Sequence, residues 1–72
     1  MMAPYQQRVL DEQRELQGRI ERLHAFIDSP NFESVVPDKI DRLLLTAQAS
    51  AMTAYGLVLQ LRIDRFTTTT GA

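Results

Sequence analysis

Residues 38–66 read DKIDRLLLTAQASAMTAYGLVLQLRIDRF, and this stretch decides the fold. Its apolar residues form two seams. One is Ile40, Leu44, Ala47, Ala51, Ala54, Val58 and Leu61; the other is Leu45, Ala49, Met52, Gly56, Leu59, Ile63 and Phe66. Both alternate steps of four and three, the spacing that keeps side chains on one stripe of a helix. The seams start five residues apart and so lie about 140° from one another at about 3.6 residues per turn. A helix with two apolar stripes needs two partners. The spacing therefore predicts an internal helix against one stripe and another subunit against the other.

The internal partner precedes it. Val9, Gln13, Leu16, Ile20, Leu23 and Ile27 follow the same spacing and predict a helix over about residues 4–28, with Pro4 suited to its first turn and Met1–Ala3 frayed. Gln13 on that seam reads either as a register-setting polar contact between helices or as a ligand contact. Gly18 costs about 1 kcal/mol relative to alanine, which close approach of the partner helix would offset. A flanking row, Arg8, Glu12, Glu15, Arg19, Arg22 and Phe26, is either a solvated ion-paired flank or, through Arg19 and Arg22, a grip for phosphates.

Asp28-Ser29-Pro30-Asn31 ends this helix, and a loop over 29–36 follows, with Phe32 and Val35 folded back to plug the end of the hairpin. Pro37 opens the second helix, 37–66, with Asp38 and Asp41 near its positive end. Four threonines, Thr67–Thr70, disfavour further helix and leave a tail over 67–72. The expected architecture is all-α: one domain, 1–72, an antiparallel two-helix hairpin assembling into a helical homo-oligomer. Counting evenly outward from the loop places Tyr5 beside Leu61 and Arg62.

Seventy-two residues without cysteine leave little to stabilise a lone hairpin. A single core of this size rarely supplies more than about 3–5 kcal/mol, and the usual remedies are disulfides, a metal or oligomerisation. No cysteine and one histidine point to oligomerisation, with no cofactor and no metal. A net charge of −1, with both signs mixed along the chain, argues against duplex nucleic acid as a partner. No apolar run is long enough to span a membrane and no leader pattern opens the chain, so the expected location is the cytoplasm.

No catalytic constellation stands out. There is no thiol nucleophile, no G-x-S-x-G elbow and no glycine-rich phosphate loop, and His24 stands alone. The expectation is a protein that is not an enzyme. What converges, in the even register, is one end of the hairpin: Tyr5, Gln6, Arg8, Arg62, Arg65, Thr67 and Thr68. Arginine forks suit phosphate oxygens, a tyrosine face suits a stacked base, and hydroxyls serve either. The same inventory also fits an ordinary polar end of a bundle.

Tyr5-Gln6-Gln7-Arg8-Val9, Glu12, Glu15-Leu16, Ile20, Leu23 and Phe26-Ile27 resemble a family of small phage proteins, as do Leu44-Leu45, Gln48, Met52, Tyr55, Leu59 and Arg62-Ile63. The family is the phage anti-CBASS cyclic-oligonucleotide sponges. The resemblance implies a compact helical homohexamer in the cytoplasm of an infected bacterial host. It implies that cyclic dinucleotides, cyclic trinucleotides or both are bound and withheld, blocking CBASS immunity signalling. It further implies that Tyr5 and a basic residue on the first helix, Arg19 or Arg22, contact a dinucleotide, and that Arg62 contacts a trinucleotide. The alternatives are a helical-hairpin module that binds protein and a phage structural element.

Overall fold

A computed structural model of the chain describes residues 2–70, with side chains described through Thr68. Met1, Gly71 and Ala72, for which fraying and a tail were expected, lie outside the described residues. The elements are α1 (Pro4–Ile27), α2 (Phe32–Val35) and α3 (Lys39–Thr70), and α1 packs along α3. The chain is all-helical among the described residues.

Local chemistry sets each boundary. Pro4 occupies the start of α1, where its missing N–H costs nothing. The Gln6 side-chain oxygen reaches back to accept from the Ala3 N–H at 2.9 Å. At the other end the Asp28 N–H donates to the His24 carbonyl at 2.9 Å, and the Ser29 hydroxyl donates to the Phe26 carbonyl at 2.7 Å. Pro30 then forbids continuation.

The expected loop contains a helical turn, α2. It buries Phe32, whose ring meets Phe26 edge-on with centroids 5.2 Å apart. Val35, expected to share in the plug, is 56% exposed and takes no part in it. Pro37 does not open α3, which begins two residues later. Asp38 is its cap, with a carboxylate oxygen accepting from the Ile40 and Asp41 N–H groups at 2.8 and 3.1 Å. The Arg42 guanidinium ties the loop to α3, donating to the Val36 and Pro37 carbonyls at 2.9 and 2.8 Å.

The two seams of α3 have opposite fates. Ala49, Gly56 and Leu59 are buried, and Met52, Ile63 and Phe66 pack with them against Val9, Leu16 and Ile20 of α1. All seven residues of the other seam, from Ile40 to Leu61, are exposed. Close helix approach occurs at Gly56, not Gly18. A Cβ on Gly56 would sit 3.6 Å from the side-chain tips of both Leu16 and Ile20, whereas one on Gly18 would meet only the Arg22 guanidinium.

The register also differs from the even count. Gln13 donates to the Gln60 side chain at 3.3 Å and Leu16 faces Gly56, roughly two helical turns (at about 3.6 residues each) further along α3 than even counting places them. The first turns of α3 lie beside α2, where Phe32, Lys39, Arg42 and Leu43 line a common cleft, so α3 overhangs the end of α1. Gln13 thus makes its polar contact with α3. Its amide oxygen is buried without a partner, and Gln60 passes the chain on to Asp64 at 3.0 Å.

α3 also runs through the threonines to Thr70 instead of stopping at Phe66. The Thr67 hydroxyl donates to the Ile63 carbonyl at 2.8 Å, a bond made inside its own helix. Thr46 and Thr53 do the same to Arg42 and Ala49.

Leu59 is 1% exposed and sits at the centre of this small core. Leu59→Ala is expected to cost about 2–5 kcal/mol. Chemical denaturation followed by circular dichroism checks this: an unchanged midpoint would contradict the packing described.

Candidate functional site

Two adjoining clefts open where the start of α1 meets the second half of α3. One, about 300 Å³, is lined by Tyr5, Gln6, Arg62, Arg65 and Phe66. The other, about 350 Å³, is lined by Tyr5, Arg8, Val9, Glu12, Tyr55, Leu59 and Arg62. Tyr5 and Arg62 belong to both.

Helical spacing explains the grouping. Tyr5, Arg8, Val9 and Glu12 recur on one stripe of α1, and Tyr55, Leu59 and Arg62 on one stripe of α3. In each stripe one residue, Val9 or Leu59, is buried in the hairpin seam and fixes the orientation of its neighbours. The polar and aromatic members then project from the edge of the seam. Tyr5 is 56% exposed and Tyr55 46% exposed, so both rings offer apolar surface to solvent.

A third cleft of about 530 Å³ lies further round α3, lined by Leu61, Asp64, Arg65 and Thr68. Arg65 connects it to the first. Thr68 lines it, while the Thr67 hydroxyl is turned onto the helix backbone.

Tyr5, Arg8, Arg62, Arg65 and Thr68 are therefore brought to one end of the hairpin. Arg19 and Arg22 are not. Arg19 lies about 21 Å along α1 from Tyr5 at about 1.5 Å per residue. It pairs with Glu15 at 3.7 Å, as the acid-before-base order predicts, and both side chains are more than half exposed. The Arg22 guanidinium lies over Gly18. Within one chain these two arginines cannot share a ligand with Tyr5 and Arg62 unless it spans that distance.

Sequence reasoning missed Glu12 and Tyr55 as cleft residues. Glu12 was grouped with the ion-paired flank, and Tyr55 belonged to neither seam. The available signal was that Tyr55 and Arg62 are two turns apart on α3, with Leu59 between them, which places them on one edge. Among the described residues no three His, Cys, Asp or Glu side chains are grouped so as to hold a metal ion. No helix among them is long and apolar enough to cross a membrane.

A family model described as Sequestin matches residues 3–65. The match spans α1, α2 and α3 as far as Arg65, including every lining residue of the two Tyr5–Arg62 clefts except Phe66. No curated protein and no solved structure matches the chain.

Because Tyr5 and Arg62 are exposed, neither contributes to the core. Tyr5→Ala and Arg62→Ala are each expected to leave stability within about 0.5 kcal/mol of the parent. Thermal melts of the two variants provide the check.

Proposed function

Because the chain belongs to the Sequestin family, we propose that it acts by sequestration, binding a small ligand stoichiometrically and withholding it without turnover. The family name denotes that role. The ligand we assign is a cyclic oligonucleotide, a dinucleotide or trinucleotide messenger of bacterial CBASS immunity, withheld by a phage protein in the cytoplasm of its host. Two things support this choice: the resemblance to the anti-CBASS sponges and the chemistry of the clefts. The observation that carries it is the sharing of Tyr5 and Arg62 between adjoining clefts. One supplies a ring on which a base can stack, the other a planar fork for phosphate oxygens. A cyclic oligonucleotide presents both features in repetition.

The clefts are shallow and open, since two helices packed about 8–10 Å apart enclose no cavity of nucleotide size. A second protomer would close them. The exposed seam from Ile40 to Leu61, extended by Leu43 and Leu57, is the surface for that contact, and closed symmetric assembly is the usual outcome for such self-complementary faces. A homohexamer would present the same tyrosine and arginine to successive repeats of the ligand. It would also give Arg19 and Arg22 a route to ligand from a neighbouring protomer.

The same seam favours a second reading, a hairpin that docks on another protein and takes no nucleotide. Calorimetry against cyclic di- and trinucleotides separates the two. Tyr5→Ala is expected to weaken dinucleotide binding and Arg62→Ala trinucleotide binding, each by about one to two decades, the worth of about 1.5–3 kcal/mol for a contact to a charged group. Ligand released by heating should be chemically unchanged; protein-dependent linearisation would rule out sequestration.

Light scattering tests the assembly. An even-numbered oligomer, six by our reading, is expected, and a species of 8.2 kDa would overturn it. Ala51→Glu, in the middle of the exposed seam, should dissociate the oligomer and lower helicity with it, because a core this small is marginal alone.

A further inference from the structure

The cleft between Tyr5 and Tyr55 contains one group that an anion-binding site does not explain, the Glu12 carboxylate. A negative charge beside Arg8 and Arg62 weakens their hold on phosphate unless it makes a favourable contact of its own. Pairing with an arginine of α1 would be the simplest such contact. One turn further along, Glu15 makes that pair with Arg19. Glu12 has no ion-pair or hydrogen-bond partner among the described residues.

An ionised carboxylate accepts hydrogen bonds and donates none. On a nucleotide, phosphates offer only acceptors, and the strongest donors are the N–H groups at the edge of a base. The cleft therefore divides its work by chemistry. Arg8 and Arg62 suit phosphate oxygens, the two tyrosine rings suit the face of a base, and Glu12 suits its N–H edge. At about 350 Å³ the cleft lies at the small end of ligand pockets, which run from about 300 to 1,000 Å³, a size fitting one nucleotide unit of a larger ring.

We infer that Glu12 and Tyr55 form a base-reading subsite, in which a purine stacks on Tyr55 and Tyr5 and its exocyclic amine donates to the Glu12 carboxylate. This rests on the sequestration reading and adds a base preference to it: purines bearing an amine are held more tightly than hypoxanthine, which presents the same ring without one.

The test is calorimetry of the full chain with cyclic adenylates, guanylates and inosinates of two and three nucleotides. The better of the two amine-bearing bases is expected to bind about tenfold more tightly than the matching inosinate, the worth of one hydrogen bond to a charged acceptor. Glu12→Gln, close to isosteric, keeps an acceptor oxygen but loses the charge, and should narrow that difference by weakening the amine-bearing ligands while inosinate binds as tightly as before or better. Tyr55→Leu should weaken all of them together, with circular dichroism unchanged. A parent that binds purines equally with and without the amine, or a Glu12→Gln variant that keeps the distinction undiminished, overturns the base-reading subsite and leaves sequestration standing. A parent that binds no member of the panel overturns sequestration of these messengers, and the subsite with it.

Discussion

The contact of Gly56 and Leu59 with Leu16, Ile20 and Val9 is the constraint on which the rest of this structure depends. Removing a side chain at Gly56 lets α3 lie against the tips of Leu16 and Ile20, and that approach buries Leu59 almost completely. Glycine inside a helix is unfavourable by about 1 kcal/mol relative to alanine, a cost that the packing at Gly56 offsets. The polar chain from Gln13 through Gln60 to Asp64 runs beside the same contact.

From this one contact follows a molecule with too little interior for its apolar surface. The fully buried hydrophobic residues are few, and Ile40, Leu43, Leu44, Leu57, Val58 and Leu61 are all more than half exposed. Scattered apolar side chains on a surface need no explanation, but a continuous stripe of them along a long helix does. A small core and an uncovered apolar stripe are two sides of one physical situation. The chain length limits what a hairpin can bury by itself, and α3 carries a second stripe suited to burial elsewhere.

The same geometry places chemistry at the edge of the seam. Residues one step off the buried line, Tyr5, Arg8 and Glu12 on α1 and Tyr55 and Arg62 on α3, flank the groove between helices. Val9 and Leu59 anchor the adjacent helical turns, while the side chains of Tyr5, Arg8, Tyr55 and Arg62 remain open to solvent. A binding site on an anchored helix edge needs little reorganisation, which suits a protein whose proposed work is to hold a ligand.

The periodicity of residues 38–66 and of the Val9–Ile27 row was sufficient by itself to establish two amphipathic helices and the two stripes on the second. The helical repeat is a local property, set by backbone geometry alone. The boundaries were less legible. Asp38 displaced Pro37 from the start of α3 because its carboxylate satisfies two N–H groups, and α3 runs on past Phe66 with the Thr67 hydroxyl turned onto the Ile63 carbonyl of its own helix. Which stripe faces inward, and in what register, only the tertiary structure decided. Both stripes have the same spacing, and a loop count treats residues 29–36 as slack. The chain instead folds them into a turn that buries Phe32 against Phe26 and carries α3 past the end of α1. That displacement brings Gln60 opposite Gln13. Such a pairing depends on contacts between residues far apart in the chain, and no local pattern encodes it.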